Sequence, residues 1–407
     1  MKNWQIKASL FLNYFVFAIL LNSVGTVILQ VQNSFGVGQS SASILEACKD
    51  LSIAAVSFLV SSYIIRIGYK RAMLVALGIV TVACLIMPLT ASFWATKVLF
   101  VAVGSSFALI KMSVYGAIGL VTQDKKEHIS LMNFIESFFM IGILTGYFLF
   151  SSFVDDTNPQ STGWLQVYYV LGGISGVAFV LLLSARLDET SVKKETEVSM
   201  LEEFGEMFQL MALPLVIVFI LCAFFYVLIE QSIMSWLPTY NQQVLKLPSA
   251  LSIEMASILA GSTALGRFLA GILLKKLNWH VVLSSCLLLA AGLVLLAIPL
   301  AQGASGRTVT GWSDAPLAAF VFPMIGLLIA PIYPAINSLI LSSLPTSRHG
   351  LMSGLIIIFS ALGGTTGSII TGNIFERLGG QNAFYFSLVP ITILLVALWF
   401  FKRLIKT

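Results

Sequence analysis

Long apolar runs separated by short polar turns follow one another along the whole chain. An α-helix needs ~20 residues to cross about 30 Å of hydrocarbon, and about twelve runs reach that length. The pattern therefore predicts an all-α membrane protein. The predicted spans, numbered 1–12 in chain order, lie roughly at 8–30, 42–66, 72–94, two within 100–153 around a turn at 123–128, 165–186, 212–237, 250–275, 279–301, 315–343, 350–374 and 382–403.

A weak internal repeat relates the first six spans to the last six. Leu131-Met132 opens span 5 and Leu351-Met352 opens span 11, and Thr145-Gly146 and Thr366-Gly367 follow at nearly the same offset. Parallel six-helix repeats of this kind are known in transporter folds. We therefore expect twelve helices in two pseudo-symmetric six-helix bundles.

One charged segment divides the two predicted bundles. Residues 187–206 form the only long charged segment, and the sequence on both sides of it is apolar. We predict an N-terminal bundle at 1–186, a cytoplasmic linker at 187–211 and a C-terminal bundle at 212–407. The linker is interpreted as a solvated connector, and a regulatory contact is the alternative.

Composition and charge placement support a membrane location. The chain is 58% hydrophobic and only 10% charged, whereas soluble domains carry about 25% charged residues. With a cytoplasmic N-terminus, most loop lysines and arginines fall on the cytoplasmic side, and only Lys97, Lys246, Arg307 and Arg377 fall on the other. The positive-inside rule then predicts a multi-pass protein of the cell (inner) membrane with both termini cytoplasmic. The basic balance reports topology and does not indicate nucleic-acid binding.

Two charges stand out within the central spans. Lys111 lies in span 4 and Glu136 in span 5. A charge at the bilayer centre costs at least ~2.5–3.5 kcal/mol, so it requires a partner, a proton or a water-filled cavity. We interpret the pair as part of a transport path, either binding substrate or coupling to protons, and a structural salt bridge is the alternative.

Other ionisable residues within spans are candidates for coupling or gating. Burial raises the pKa of a carboxyl group towards neutrality, which allows it to carry a proton. Glu136, Glu230 and Asp50 are the proton-coupling candidates. Glu46 and Lys49, one turn apart at the start of span 2, and Arg267 in span 8 are interpreted as gate or structural residues.

Polar and aromatic residues within the spans offer the hydroxyl, amide and ring surfaces that a small polar solute requires. Polar contacts between membrane helices use the same residue types, so either role is open for each. The substrate-binding candidates are Lys111, Asn133, Glu136, Ser137, Gln231, Trp236, Tyr333 and Asn337.

Several classes of protein are disfavoured by the sequence. The four cysteines lie in apolar runs without metal-ligand spacing, the three histidines lie in predicted turns, and no ATP-binding or hydrolytic motif is present. We therefore expect no enzyme activity, no cofactor and no metal site. The expected partners are a small-molecule substrate, protons and the lipid bilayer, and we expect a monomer.

Short motifs in the second half carry a resemblance to a known family. The run FFYVLIEQSIMSWLPTYN in span 7, GSTALGRFLAGILLKK in span 8 and Ile332-Tyr333-Pro334 in span 10 are similar to elements of the fucose permease branch of the major facilitator superfamily. Asn133 followed by Glu136 resembles the Asn-x-x-Gln element of span 5 in that branch. The resemblance implies proton-driven uptake of a small polar solute, such as a sugar, through a central cavity.

The sequence departs from that branch where its coupling acids lie. Gly25 stands where the branch has an acid in span 1, and Lys111 lies near the position of an acid in span 4. The loop signature after span 2 is reduced to Ser61, Ile65, Gly68 and Lys70. Coupling would then depend on the three acids named above, and the lysine favours an anionic substrate such as a sugar acid.

Three functional hypotheses follow. The first is a secondary transporter that takes up a sugar, sugar acid or related metabolite with protons by alternating access. The second is a proton-driven exporter of drugs or metabolites with the same fold. The third is a membrane sensor or scaffold, which the short linker and tail disfavour.

Overall fold

The computed structural model describes residues 4–60, 64–122, 125–189, 200–302, 309–345 and 348–405, and these ranges contain helices and no β-strand. Short 3₁₀ helices lie at Gly163–Gln166, Trp312–Asp314 and Phe322–Met324. In chain order the α-helices are α1 Trp4–Asn22, α2 Val24–Phe35, α3 Gln39–Ala42, α4 Ile44–Val60, α5 Ile64–Ile67, α6 Tyr69–Thr90, α7 Phe93–Val121, α8 Lys125–Ser151, α9 Val167–Ser184, α10 Met200–Met211, α11 Pro214–Gln243, α12 Ser249–Leu273, α13 Trp279–Gln302, α14 Leu317–Val321, α15 Ile325–Ile329, α16 Ile332–Ser342, α17 His349–Leu378, α18 Gly380–Tyr385 and α19 Leu388–Ile405.

The helices account for all twelve predicted spans. Eleven helical stretches within the described ranges are long and apolar enough to cross a membrane, and they correspond to spans 1 and 3–12. Span 2 corresponds to α4 and α5, with residues 61–63 between them outside the described ranges. The prediction of an all-α, multi-pass membrane protein is confirmed.

Two of the predicted spans are interrupted rather than continuous. Span 1 divides at Ser23 into α1 and α2. In span 10, Pro323 lies in a 3₁₀ helix and Pro331 immediately precedes α16. Proline lacks an N–H and clashes with the preceding turn, which gives a local cause for the interruptions of span 10, whereas no proline lies at Ser23.

Contacts divide the chain into two compact units. The first comprises Met1–Val24, Cys48–Asp155 and Gln160–Met200, and the second comprises Gly25–Ala47, Asp156–Pro159 and Leu201–Thr407. The segment Gly25–Ala47 therefore packs with the C-terminal helices. The predicted linker at 187–211 stays a prediction, because residues 190–199 lie outside the described ranges.

Glycines allow a close helix approach in the first unit where α1 packs on α8. A Cβ added to Gly142 would lie 2.7 Å from the Phe15 carbonyl oxygen and 2.8 Å from the Ala18 Cβ. A Cβ on Gly146, one turn later, would lie 3.3 Å from the Ile19 side chain. Two small residues four apart let helix backbones approach closely in membranes.

The second unit repeats this arrangement between α11 and α17. A Cβ on Gly363 would collide with the Phe224 carbonyl oxygen, and one on Gly367 would collide with the Leu228 carbonyl oxygen. The two glycine pairs have the same spacing, and each lies on the fifth span of its half against the first. The repeat read from the sequence therefore has a counterpart in the packing of each unit.

Candidate functional site

Lys111 and Glu136 lie in one polar and aromatic cluster of the first unit. We call this the Lys111 cluster; it comprises Tyr14 of α1, Phe107, Lys111 and Tyr115 of α7, and Glu136 and Phe139 of α8. The three α7 residues are spaced four apart, so they share one helix face. The Tyr115 hydroxyl donates a hydrogen bond to Glu136 Oε1 over 3.0 Å.

Aromatic rings form the walls of the Lys111 cluster. The Tyr14 ring lies 5.8 Å from Phe139, edge to face, and 6.5 Å from Tyr115. The Phe107 and Phe139 rings lie 6.2 Å apart. The Lys111 Nζ lies 6.0 Å from the Phe107 ring centre, which is at the limit of a cation–π contact.

The Lys111 side chain is exposed, and its surroundings indicate water rather than lipid. Elsewhere on α7, the exposed apolar residues Trp94, Val98 and Val101 form an apolar stripe of the kind that faces lipid. Lys111 lies about 100° around the helix from that stripe, given 3.6 residues per turn. Tyr115 and Glu136 beside it are also exposed. An ammonium, a phenol and a carboxylate on one face require an aqueous recess.

Lys111 and Glu136 do not form an ion pair. No salt bridge joins them within the part of the chain that the structure describes, and Glu136 instead accepts the Tyr115 hydroxyl. The alternative of a structural salt bridge between these two residues therefore lacks support.

Tyr14 brings a buried hydroxyl to the cluster. The residue is only 2% exposed, and its hydroxyl interacts with the Tyr115 hydroxyl at the margin of hydrogen-bond geometry. A buried hydroxyl that is only weakly bonded is costly, so it is suited to a stronger bond with a ligand or an ordered water.

The remaining candidates of the first unit lie at the edges of this cluster or away from it. Ser137 is exposed on α8, and the Asn133 side chain lies outside the described residues. Lys49 and Asp50 of α4 are buried and pair over 3.4 Å, and the Lys49 Nζ also lies 3.5 Å from the Leu21 carbonyl oxygen.

A second cluster forms around Glu230 in the second unit. We call it the Glu230 cluster; it comprises Tyr226 and Glu230 of α11, Arg267 of α12, Tyr333 of α16 and Ser360 of α17. The Tyr226 hydroxyl donates to Glu230 Oε1 over 2.8 Å, and the Arg267 Nη2 lies 4.0 Å from the same oxygen. The Tyr226 and Tyr333 rings stack at 5.3 Å, and the Tyr333 hydroxyl and the Ser360 Oγ lie 2.8 Å apart.

Three further candidates of the second unit have different surroundings. The Asn337 Oδ1, one turn after Tyr333, is buried without a hydrogen bond, whereas Gln231 is half-buried beside Glu230. Trp236 is fully buried, donates its ring N–H to the Ser368 carbonyl oxygen over 3.1 Å and stacks on Phe375 at 5.4 Å. These contacts occupy Trp236 in the packing of α11 on α17.

Glu46 belongs to a polar seam within the second unit. It is fully buried and accepts a hydrogen bond from the Ser235 hydroxyl over 2.8 Å. Further along the seam, Gln243 donates to Gln32 over 3.2 Å, and the Ser40 amide donates to a Glu376 oxygen over 2.7 Å. This seam holds Gly25–Ala47 against α11 and α17.

The two clusters share one pattern. In each unit, a tyrosine of the first span contacts a tyrosine of the fourth span, Tyr14 with Tyr115 and Tyr226 with Tyr333. The fourth-span hydroxyl then bonds a polar residue of the fifth span, Glu136 in one unit and Ser360 in the other. The clusters differ in charge. The first unit adds a lysine that makes no ion pair with the described residues, and the second adds an acid beside an arginine.

Sequence reasoning missed the tyrosines Tyr14, Tyr115 and Tyr226. Tyr115 follows Lys111 by four residues and Tyr226 precedes Glu230 by four, and i,i+4 spacing to a charged residue is a signal that could have identified both. Tyr14 has no such local signal, since its role depends on the register of α1 against α7 and α8.

Comparisons with known proteins agree with this fold. The sequence matches the family model described as Major Facilitator Superfamily over residues 10–365, and no curated protein gives a significant match. The structure resembles a bacterial homolog of the human lysosomal transporter Spinster, with TM-score 0.73, 16% identity, and 100% of this chain and 98% of that chain covered. It also resembles the nucleoside transporter NupG, with TM-score 0.73, 14% identity and coverage of 98% and 99%. The xylose transporter XylE from E. coli gives TM-score 0.75, 11% identity and coverage of 98% and 95%. At such identities the likeness concerns the fold alone.

Proposed function

We propose that this chain, which belongs to the major facilitator superfamily and is a membrane transporter rather than an enzyme, takes up a small polar solute together with protons by alternating access. The solute would be a sugar, a sugar acid or a related metabolite. The observation that carries the proposal is the Lys111 cluster, in which an exposed ammonium, a Tyr115–Glu136 hydrogen bond and the buried Tyr14 hydroxyl lie among aromatic rings.

The physical argument concerns the cost of charge at membrane depth. An unpaired lysine within a span costs at least ~2.5–3.5 kcal/mol, and a structural ion pair would reduce that cost. Lys111 has no such partner among the described residues. Binding of a solute to Lys111 during the transport cycle would explain why the chain tolerates the energetic cost of this charge, whereas a purely structural role would leave that cost unexplained.

Glu136 is the proton carrier that the geometry favours. It is exposed and accepts one hydrogen bond, from Tyr115, so both water and solute could reach it. Glu230 and Asp50 each lie within 4.0 Å of a basic side chain, Arg267 and Lys49 respectively, whereas Glu136 makes no such ion pair among the described residues. Glu230 would therefore serve as the second choice and Asp50 as the third.

The finer assignments follow from the sequence. Membership of the fucose permease branch rests on the motifs of spans 7, 8 and 10. Residence in the inner membrane with both termini cytoplasmic rests on the placement of lysine and arginine. We propose both, with a monomer as the functional unit.

The test is uptake by purified protein in proteoliposomes with an imposed pH gradient. The probes are radiolabelled sugars, sugar acids and nucleosides, each added separately. We expect uptake of at least one probe to depend on the gradient and to fall at least about tenfold in Glu136→Gln, because the variant cannot exchange a proton. Glu206→Gln is the matched control, since Glu206 is an exposed acid of α10 outside the spans. Gradient-independent uptake, or equal uptake by the two variants, would contradict proton coupling through Glu136.

Export is a second candidate, favoured by the aromatic walls of Phe107, Tyr14 and Phe139. Exporter cavities accept apolar compounds, which such rings bind well. Everted and right-side-out vesicles distinguish the two, since uptake and export predict accumulation in opposite orientations.

A further inference from the structure

We propose that the solute bound by the Lys111 cluster is an anion, namely a small hydroxylated monocarboxylate such as a sugar acid, whose carboxylate binds the Lys111 ammonium. The inference rests on the transport function proposed above and specifies its substrate class. The juxtaposition that carries it is an ammonium with no ion-pair partner among the described residues, in one cluster with the Tyr115–Glu136 hydrogen bond and two phenylalanine rings.

Charge balance is the first step. Glu136 is close enough for its charge to act on Lys111, but it accepts the Tyr115 hydroxyl and makes no ion pair with the lysine within 4.0 Å. The ring of Phe107 lies at the distance limit of a cation–π contact, so it offsets little of the charge. The ammonium therefore has no acceptor in direct contact among the described residues, and a solute carboxylate would supply both a charge and hydrogen-bond acceptors.

The Glu230 cluster does not require an anionic ligand to balance its positive charge. Arg267, the charged group nearest its carboxylate, lies 4.0 Å from Glu230. The positive charge there already faces a negative one. The anion-binding role therefore falls to Lys111 alone among the two clusters.

The kind of anion follows from the donors present. Phosphate and sulfate sites are typically built from arginine forks or several converging donors, whereas this site offers one lysine. The same cluster holds the Tyr14 hydroxyl, which is only marginally bonded to Tyr115, and the Tyr115–Glu136 hydrogen bond, and these groups suit solute hydroxyl groups. The Phe107 and Phe139 rings suit the C–H face of a sugar ring.

The experiment compares acids with their matched neutral sugars. Ligand-induced shifts in thermal unfolding give apparent affinities of the purified wild-type protein for glucuronate and glucose, and for galacturonate and galactose. We expect at least one acid to bind about tenfold or more tightly than its neutral partner, because hydrogen bonds to charged groups contribute ~1.5–3 kcal/mol. Equal affinities in both pairs, tighter binding of the neutral sugars, or binding of no acid would overturn the proposal without any variant.

Two variants then assign the preference to Lys111. Lys111→Gln should lose the preference for the acid, and Lys111→Arg should keep most of it because the charge remains. An unchanged preference in Lys111→Gln would overturn the assignment. The transport proposal and the anion proposal can fail independently. Uptake of a neutral sugar on the pH gradient would support transport and refute the anion proposal. Binding of an acid that is never transported would support the anion proposal and refute proton-driven uptake.

Discussion

Substituting Gly142 tests whether helix packing positions the Lys111 cluster. An alanine Cβ would lie 2.7 Å from the Phe15 carbonyl oxygen and 2.8 Å from the Ala18 Cβ, whereas ordinary contact begins at 3.4 Å. Because both neighbours belong to the α1 backbone or its first side-chain atom, α1 and α8 must separate by about 0.7 Å. Overpacking of this kind typically costs about 1–3 kcal/mol.

Separating α1 from α8 would also disturb the Lys111 cluster. Tyr14 precedes Phe15 by one residue, and Phe139 lies three residues before Gly142 on α8. Moving α1 from α8 therefore loosens the 5.8 Å contact between the Tyr14 and Phe139 rings. We expect Gly142→Ala to lower both the unfolding temperature and the uptake rate.

A graded series makes the prediction quantitative. Gly146→Ala should have a smaller effect, since its Cβ would lie 3.3 Å from a flexible Ile19 side chain. Gly173→Ala in α9 is the control, because a Cβ there meets nothing within 4 Å, and alanine favours a helix over glycine by ~1 kcal/mol. Thermal unfolding in detergent and uptake in proteoliposomes measure all three. A wild-type unfolding temperature for Gly142→Ala would refute the reasoning.

The other predictions concern the second glycine pair and two hydroxyl groups. Gly363→Ala should destabilise the protein as Gly142→Ala does, because its Cβ would collide with the carbonyl oxygen of Phe224; thermal unfolding measures this. Tyr115→Phe removes the donor to Glu136 and should reduce uptake several-fold at nearly unchanged stability. Ser235→Ala leaves the buried Glu46 carboxylate with one hydrogen bond fewer and should cost about 1–3 kcal/mol of stability, again seen in thermal unfolding.

Each of these variants has a matched control. Gly261→Ala in α12 adds a Cβ that meets nothing within 4 Å. Tyr169→Phe removes an exposed hydroxyl of α9, and Ser342→Ala removes one that bonds only within its own helix. A variant indistinguishable from its control would contradict the role given to the corresponding contact.

The spans were predictable because lipid imposes a length and an apolar composition on any helix that crosses it. The breaks at Pro323 and Pro331 have a local cause in the missing N–H of proline, but this signal is not decisive, since Pro88, Pro238 and Pro299 lie within helices. The break at Ser23 was not predictable, because no residue there forbids a helix; Gly25 follows it, and its Cβ would lie 2.8 Å from the Met234 carbonyl oxygen. Tertiary packing decides that position.

The candidate site was predictable in part. Lys111 and Glu136 stand out because charge is expensive in lipid, and they do lie in one cluster. Their hydrogen bonds could not be read from the sequence, since Tyr115 rather than Lys111 contacts Glu136. Pairing across helices depends on rotation and register, which apolar periodicity does not fix within such uniformly apolar spans.

The assignment of Gly25–Ala47 to the second unit has a consequence for biosynthesis. This segment is made early, yet Gln32 and Ser40 bond to Gln243 and Glu376, which follow them in the chain by 211 and 336 residues. Until those residues are synthesised, the polar groups of the segment must rely on water, headgroups or the insertion machinery. The segment therefore cannot reach its final contacts before most of the chain has been made.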